Sequence, residues 1–326
     1  MTSKMFSLAL AGSAVLGLSV SAFAGANKPA SLLVYPCYDN SRSTETLITV
    51  TNTSTTVSGT ASADNVQVEF VYINGANCLE TNRTRTLTPG DTLTVLASAD
   101  NPNSNAGYVY VFAKRNGAAI SFNHLIGTSI TLSGSDTRDF ELDPIAFLAL
   151  GADNATTDAA PADGRRDLNG TEYEQAPGEL AFPRFVGQGN GAESRLILIN
   201  LVGARFNAVL DFLVYNDNEE VFSAQKTIDC WDRVLLSDIN GVFNNDFLYN
   251  NTNHNVNEIA GISFNEVGWF SVQGTVANSS NDVVLNPAIL AALVESVHGD
   301  GGGMLPWQLG SGRNGELLNL SIQSDL

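Results

Sequence analysis

The chain has 326 residues, three cysteines and a formal net charge of −18. The roughly 300 residues that follow an apolar N-terminal stretch exceed what one ordinary hydrophobic core holds, so we expect two domains. The acidic surface repels phosphate backbones, which excludes nucleic acid from the expected partners.

The N-terminal residues have the three-part pattern of an export signal. Lys4 gives a positive start, residues 6–20 are apolar or small, and Ala22-Phe23-Ala24 places small residues where a signal peptidase cleaves. The apolar run is shorter than the roughly 20 residues that span a bilayer, so we predict a cleaved signal peptide over residues 1–24. Cleavage after Ala26 is the rival site.

No later segment is apolar enough for a transmembrane anchor, because Asn286-Pro287 and Glu295 interrupt the best candidate. We therefore predict a secreted protein that is extracellular or held at the cell surface, with the periplasm as the alternative location.

Residues 27–152 have the pattern of successive strands. The segments from Thr46 to Asn52 and from Val66 to Phe70 alternate apolar and polar residues, as half-buried strands do, whereas Tyr108 to Phe112 is apolar on both faces. Turn signals such as Asn74-Gly75 separate the strands. Short strands at this spacing predict an immunoglobulin-like β-sandwich domain.

Cys37 and Cys78 are the predicted disulfide, because both lie in this first domain, each just past a strand. Chain entropy gives a loop of about 40 residues a stabilisation of roughly 3–4 kcal/mol, and export permits the bond. Cys230 is then the unpaired cysteine, a buried thiol beside Trp231, with a cross-link to another chain as the alternative.

Residues 153–177 form the predicted linker, which is rich in Ala, Asp, Gly and Pro. Its carboxylates could hold calcium, although their spacing is not that of an EF-hand. We favour a solvated linker and expect no cofactor, with calcium as the one alternative. The candidate ligands are Asp153, Asp158, Asp163 and Asp167.

Residues 178–326 repeat the pattern of the first domain and end in a tail that opens with a glycine-rich stretch after His298. Six segments match in the same order at offsets between 141 and 161 residues, which indicates a tandem duplication. The matched segments are 33–36 with 180–183, 46–52 with 195–201, 68–72 with 210–215, 91–93 with 232–234, 107–111 with 268–272, and 142–150 with 285–293.

The last matched segment predicts a short helix in each copy. Asp143-Pro144 and Asn286-Pro287 provide a capping side chain followed by a proline suited to the first helical position, and apolar residues follow both. The predicted fold is therefore mainly β, with two tandem immunoglobulin-like β-sandwich domains, each with a short helix near its end. The copies differ mainly in two insertions, residues 119–139 and 239–266.

Several segments resemble an uncharacterised family of secreted bacterial proteins. The segments that carry the resemblance are SLLVYPCYDN from Ser31, VEFVYING from Val68, GYVYVFAK from Gly107, SFNHLIG from Ser121, DFLVYNDNEEVFSAQ from Asp211 and GWFSVQG from Gly268. The resemblance implies an exported architecture of two β-rich domains in a bacterial setting. It implies no activity and no site residues.

The sequence contains no recognisable catalytic motif. His124, His254 and His298 are not spaced as metal ligands, and the chain has no nucleophile elbow, phosphate-binding glycine loop or His-Glu-x-x-His segment. Two carboxylates could act as in a glycosidase, but 34 acidic residues always offer some pair. We therefore predict that the protein is not an enzyme.

The leading hypothesis is a non-enzymatic secreted or cell-surface protein with a structural or adhesive role. Its expected partners are cell-surface or matrix components, or other copies of the chain. The alternative is a module that binds carbohydrate, or another ligand that requires calcium. Trp231, Trp269 and Trp307 could then form a sugar platform, although we expect most of these side chains in the core. A hydrolase with an unfamiliar site is the third hypothesis.

Overall fold

A computed structural model describes residues 28–41, 43–55, 65–134, 139–158, 162–203, 205–252 and 265–317. The predicted signal peptide, His254 and the end of the C-terminal tail lie outside these residues.

The first half contains eleven strands and one short helix among its described residues. They are β1 (Leu32–Asp39), β2 (Thr44–Asn52), β3 (Val66–Asn74), β4 (Glu80–Leu87), β5 (Thr92–Leu96), α1 (Ala97–Asp100), β6 (Ala106–Arg115), β7 (Ala118–Ala119), β8 (Leu125–Ser133), β9 (Phe140–Leu142), β10 (Ile145–Phe147) and β11 (Arg166–Leu168).

The second half contains eleven further strands, two short α-helices and one 3₁₀ turn over Gly241–Phe243 in the part that is described. They are β12 (Glu179–Val186), β13 (Ala192–Asn200), β14 (Asn207–Tyr215), β15 (Val221–Ile228), β16 (Trp231–Leu235), α2 (Leu236–Ile239), α3 (Asn245–Asn250), β17 (Val267–Asn278), β18 (Val283–Leu285), β19 (Ile289–Val297), β20 (Asp300–Met304), β21 (Trp307–Leu309) and β22 (Gly315–Leu317).

The main strands form four antiparallel sheets, which we number in the order in which they pack. Sheet 1 has the strand order β5-β2-β8-β9, and sheet 2 has the order β10-β1-β6-β3-β4 with β7 beside β6. Sheet 3 has the order β16-β13-β19-β20, and sheet 4 has the order β15-β14-β17-β12-β21 with β18 beside β17. Strands β11 and β22 form a separate pair that joins the predicted linker to the C-terminal segment.

Successive sheets pack face to face through apolar cores. Side chains such as Tyr35 and Phe70 fill the core between sheets 1 and 2, and side chains such as Phe212 and Phe270 fill the core between sheets 3 and 4. A third core joins sheets 2 and 3, and Tyr173 of the predicted linker is buried in it. Because of this third core, all eight residues of β1 are buried.

The prediction of two tandem immunoglobulin-like sandwiches is wrong. The chain is mainly β, but its four small antiparallel sheets are arranged like the blades of a four-bladed β-propeller, each packed on the next. The described residues of sheets 1 and 4 leave their outer faces exposed, so the succession of sheets is open at these two faces. Two separate sandwiches would leave one face of every sheet in solvent. Here sheets 2 and 3 are covered on both faces, and strand β20 of sheet 3 runs beside strand β9 of sheet 1.

The two predicted terminal helices are also wrong, because both segments contain strands. Residues after Asp143-Pro144 form β10, and residues after Asn286-Pro287 form β19. Asn286 has a φ of 50°, so it is a left-handed turn residue and not a helix cap. A short, continuous apolar run fits a strand buried on both faces as well as a helix. In sheet 3, β19 pairs with β13 on one edge and β20 on the other, and its two faces lie in different cores.

The two halves have the same strand order. Sheet 4 repeats sheet 2, with β21, β12, β17, β14 and β15 in the places of β10, β1, β6, β3 and β4. Sheet 3 repeats sheet 1, with β16, β13, β19 and β20 in the places of β5, β2, β8 and β9. The expected match of 142–150 with 285–293 is therefore wrong, since β19 takes the place of β8 and not of β10. The matches of 46–52 with 195–201 and of 91–93 with 232–234 join the right strands but are displaced by one and two residues, since Asn52 corresponds to Asn200 and Asp91 to Cys230.

A shared irregularity supports this correspondence. The pairing of β1 shifts register between Tyr35 and Tyr38, around Pro36, and the pairing of β12 shifts between Phe182 and Phe185, around Pro183. In each case a glycine lies opposite the end of the bulge. At Gly107 a Cβ atom would be 1.8 Å from the carbonyl oxygen of Ile73, so only glycine fits there.

Candidate functional site

The disulfide joins Cys78 to Cys230, so the predicted pair of Cys37 and Cys78 is wrong. Cys78 lies in the turn after β3, and Cys230 lies immediately before β16 in the other half of the chain. Cys37 is a free, buried thiol that packs with Leu142 and Ile197. Burial raises the pKa of Cys37 to about 11, which makes the thiol unreactive at neutral pH.

Residues that follow Cys230 hold the two halves together. The indole Nε1 of Trp231 donates a hydrogen bond of 2.9 Å to the carbonyl oxygen of Pro36. The ring also lies against Gly75, where a Cβ atom would be 2.2 Å from it. Arg233 forms an ion pair of 2.7 Å with the nearly buried carboxylate of Asp39. Sheet 3 is thus fastened to sheet 2 by covalent, packing and ionic contacts together.

The four candidate calcium ligands do not form one cluster. Asp158 accepts hydrogen bonds of 3.0 Å from the backbone amides of Asp163 and Gly164. Asp153 is exposed, and Asp167 is buried, with a pKa that burial and then Glu172 raise to about 6. Among the described residues no group of three or more acidic, histidine or cysteine side chains is arranged to hold a metal ion. Calcium binding stays a prediction.

The described histidines have structural surroundings. The ring of His124 packs against Phe122 at 5.0 Å, and its carbonyl oxygen accepts a hydrogen bond from Thr53. His298 is a turn residue with a φ of 53°, and its backbone amide donates to Gly191. These two side chains therefore belong to different halves of the chain and do not form a pair.

A cleft of about 220 Å³ lies between the two halves, beside the Asp39–Arg233 ion pair. Its carboxylates already have partners. Glu295 pairs with Arg184 at 2.6 Å and accepts a hydrogen bond from the amide of Val186, and Glu193 pairs with Arg195 at 3.1 Å. Both carboxylates are therefore engaged in ion pairs or hydrogen bonds within the second half of the chain.

The outer face of sheet 4 is the face turned away from sheet 3, and it carries exposed aromatic side chains. Trp307 is 70% exposed, and Trp269 is 38% exposed with its ring stacked on Tyr215 at 3.9 Å between centroids. Both tryptophans were expected mainly in the core, and the structure places both on the surface. Leu213, Val221 and Leu309 are exposed on the same face.

Side chains on this face form three rows across the strands. Tyr215 and Trp269 make an aromatic row. A row of smaller side chains comes next and includes Ser223, Leu213 and Ser271, which line an open groove. The third row is polar, and there Gln225 and Thr275 both donate hydrogen bonds to Asp211. The face thus has a shallow groove between an aromatic edge and a polar edge.

The outer face of sheet 1 is the face turned away from sheet 2, and it combines threonine with exposed aliphatic side chains. Thr49 pairs with Thr94, and Thr51 pairs with Thr92, through hydroxyl hydrogen bonds of 2.9 Å. Its exposed aliphatic residues are Leu96, Ile126, Ile130 and Leu132. Sequence reasoning missed this face. The available signal was the alternation in β8, which places Ile126, Ile130 and Leu132 on one face of the strand, opposite a face that is mostly polar.

Comparison with models of known protein families finds no match, and comparison with curated proteins finds no similar sequence. Across the part of the chain that the structure describes, no helix has the length and apolarity needed to span a bilayer.

Proposed function

We propose that this protein is a non-enzymatic extracellular structural or adhesive protein that binds through the outer faces of sheets 1 and 4. One observation carries the proposal. The described residues include fourteen exposed large apolar side chains, and eleven of them lie on these two faces. Exposed apolar side chains scattered singly are ordinary, whereas their concentration on two faces marks interaction surfaces.

The disulfide supports a location outside the cytoplasm. Cys78 and Cys230 join the two halves of the chain, and such structural disulfides persist in oxidising compartments. The export pattern at the N-terminus agrees with this location. The paired carboxylates of the cleft and the high pKa of Cys37 support a role other than catalysis.

The test is to express the full chain with its own N-terminus in a bacterial host and to follow where it goes. We expect N-terminal processing by mass spectrometry, recovery from the extracellular or surface fraction, and association with copies or with surface material. The variant Ile130→Lys/Trp307→Lys should lose association, while Leu79→Lys/Leu150→Lys, whose residues are exposed elsewhere, should keep it. A protein that stays unprocessed, or that binds nothing, would refute the proposal.

A second candidate function is glycan binding in the groove on sheet 4. It is favoured by the stacked Tyr215 and Trp269, whose flat surface suits a sugar ring, and by the opposite row of Asp211, Gln225 and Gln273, whose polar atoms suit hydroxyl groups. Neighbouring strands are about 4.8 Å apart, so a groove across four strands spans a few sugar units.

Affinity electrophoresis in gels that contain neutral polysaccharides tests this candidate, with and without a calcium chelator. We expect retardation of the wild type, loss of retardation in Trp269→Ala, and no change in Leu96→Ala on the opposite face. Retardation of wild type and Trp269→Ala to the same degree would show that the groove is not a glycan site.

A further inference from the structure

The contact inside the molecule joins two unlike faces. Sheet 2 contributes the face that carries Tyr108, Tyr110 and Phe112, and sheet 3 contributes the face that carries Ile199 and Leu290. Both faces are buried there. A contact between two different surfaces is heterologous. A second copy of either surface would therefore pair with a copy of the other surface and not with its like.

The duplication supplies such a repetition. Since sheet 4 repeats sheet 2 and sheet 1 repeats sheet 3 in strand order, the outer face of sheet 4 is equivalent to the covered face of sheet 2. The outer face of sheet 1 is likewise equivalent to the covered face of sheet 3. The molecule therefore exposes, at its two ends, the counterparts of the two faces that bury each other in its middle.

Large side chains persist at the equivalent positions of sheet 4. The cross-strand pair Ile73 and Tyr108 of sheet 2 corresponds to Tyr215 and Trp269. On β10 and β21, Ile145 corresponds to Trp307 and Phe147 to Leu309. The groove lies where sheet 4 has a smaller side chain than sheet 2 at the equivalent position, since Ser271 corresponds to Tyr110.

Sheet 1 keeps the shape of sheet 3 with a more polar composition. The pair Ile199 and Leu290 corresponds to Thr51 and Ile126. Threonine retains the β-branch that suits a strand, and its hydroxyl reduces the apolar surface. The hydroxyls of Thr51 and Thr92 bond to each other, so part of their polarity is already satisfied.

The equivalence extends to the disulfide. Cys78 has a φ of 60°, and Glu219, at the same place in the corresponding turn of sheet 4, has a φ of 61°. The carbonyl oxygen of Cys230 accepts a hydrogen bond from the amide of Asn200, and that of Asp91 accepts one from Asn52. Asp91 and Glu219 are therefore the counterparts of Cys230 and Cys78.

We propose that copies of this chain associate head to tail, with the outer face of sheet 4 of one copy on the outer face of sheet 1 of the next. The contact repeats the packing of sheet 2 on sheet 3. The inference rests on the proposed function and names its partner, which is a second copy. Repetition of this heterologous contact produces rings or filaments, according to the rotation at each step.

The contact between copies is weaker than the internal one. It has no disulfide, and Asp91 and Glu219 bring two carboxylates together where the disulfide lies inside the molecule. The chain also has a formal net charge of −18, so copies repel each other. Salt screens that repulsion, and association should therefore increase with ionic strength.

The correspondence of Asp91 and Glu219 with the disulfide gives a direct test. The double variant Asp91→Cys/Glu219→Cys, under oxidising conditions, should form a ladder of covalent oligomers that a reductant removes. A mixture of the two single variants should stop at covalent dimers, since each copy offers one new thiol. The control pair Leu79→Cys/Leu150→Cys, whose residues lie on neither outer face, should stay monomeric on non-reducing gels.

The outcomes separate this inference from the proposed function. Single variants that each cross-link to themselves would replace the head-to-tail contact by one between like faces. If the double variant cross-links no more than the control while the wild type binds polysaccharide or surface material, the inference is overturned and the proposed function stands. A wild type that neither self-associates nor binds such material would overturn both. Matching melting temperatures of the variants and the wild type verify their folding.

Discussion

The covered contact between sheets 2 and 3 and the open outer faces of sheets 1 and 4 are built on the same scaffold. In the covered contact Trp231 packs on Gly75 and Arg233 pairs with Asp39. At the positions on sheet 1 equivalent to Trp231 and Arg233 stand Thr92 and Thr94. Strand order therefore sets where a face lies, whereas a few side chains decide whether another sheet stays bound to it.

Loss of the disulfide should give the largest change in the covered contact. Cys230→Ala opens a bond between residues 152 positions apart, and chain entropy assigns such a bond about 5 kcal/mol of unfolding free energy. Denaturant unfolding measures the loss. Cys37→Ala is the matched control and should cost about 1 kcal/mol. The reverse order would mean that Cys37 and not Cys230 pairs with Cys78.

Truncation of the tryptophan at the covered contact should come next. Trp231→Ala removes the packing on Gly75 and the hydrogen bond to Pro36, so we expect a loss of about 3 kcal/mol of unfolding free energy. Trp307→Ala, on an open face, should change it by less than about 0.5 kcal/mol. Equal losses in the two variants would contradict the distinction between the covered and open faces.

Substitution on sheet 1 should make an open face more like its covered counterpart. Thr49→Ile/Thr51→Ile restores the isoleucines found at positions 197 and 199. Self-association measured by sedimentation equilibrium should strengthen about tenfold, which is about 1.4 kcal/mol, because the added apolar surface is buried between copies. The melting temperature of the dilute monomer should not change. Unaltered self-association would count against the proposed contact.

The pH dependence of stability gives a further contrast between a covered and an open position. Burial, and then Glu69, raise the pKa of Glu80 from 4.5 to about 8, and neither carboxylate oxygen has a hydrogen-bond partner among the described residues. The folded state retains this proton while the unfolded state loses it, so stability should fall as the pH rises from about 4.5 to about 8. Val221 stands at the equivalent, open position.

Thermal unfolding as a function of pH measures this contribution. Glu80→Gln should melt at a higher temperature than the wild type at pH 8, and the two should converge near pH 4.5. Glu141→Gln, which removes an exposed carboxylate from β9, should follow the wild type at every pH. A Glu80→Gln curve parallel to that of the wild type would show that this carboxyl has an ordinary pKa.

The sequence predicted the strands and most of the duplication because alternation and turn residues are local. Thr46 to Asn52 and Tyr108 to Phe112 lie in strands as expected. It could not distinguish a buried strand from a helix after Asn286-Pro287, because the apolar run fits both and only the neighbours in sheet 3 decide. The disulfide was missed because its partners lie in different halves of the chain.

The candidate faces were predictable only in part. The sequence named the three tryptophans as a possible sugar platform but favoured the core for most of them. The structure exposes Trp269 and Trp307 and places Trp231 at the covered contact. In β8 the alternation placed Ile126, Ile130 and Leu132 on one face, and that face is exposed. No local pattern indicates whether such a face meets solvent, another sheet or another copy.

Hydrophobic periodicity and turn chemistry act over a few residues, so the order of amino acids is enough to predict a mainly β chain with one strand pattern used twice. The succession of four sheets, the pairing of Cys78 with Cys230 and the exposure of the faces of sheets 1 and 4 follow only from the folded arrangement. Burial is a property of the neighbours that a residue acquires on folding. Val71 and Leu213 hold equivalent places on β3 and β14. Val71 is buried because sheet 3 covers sheet 2, whereas Leu213 is exposed because no sheet among the described residues packs on it.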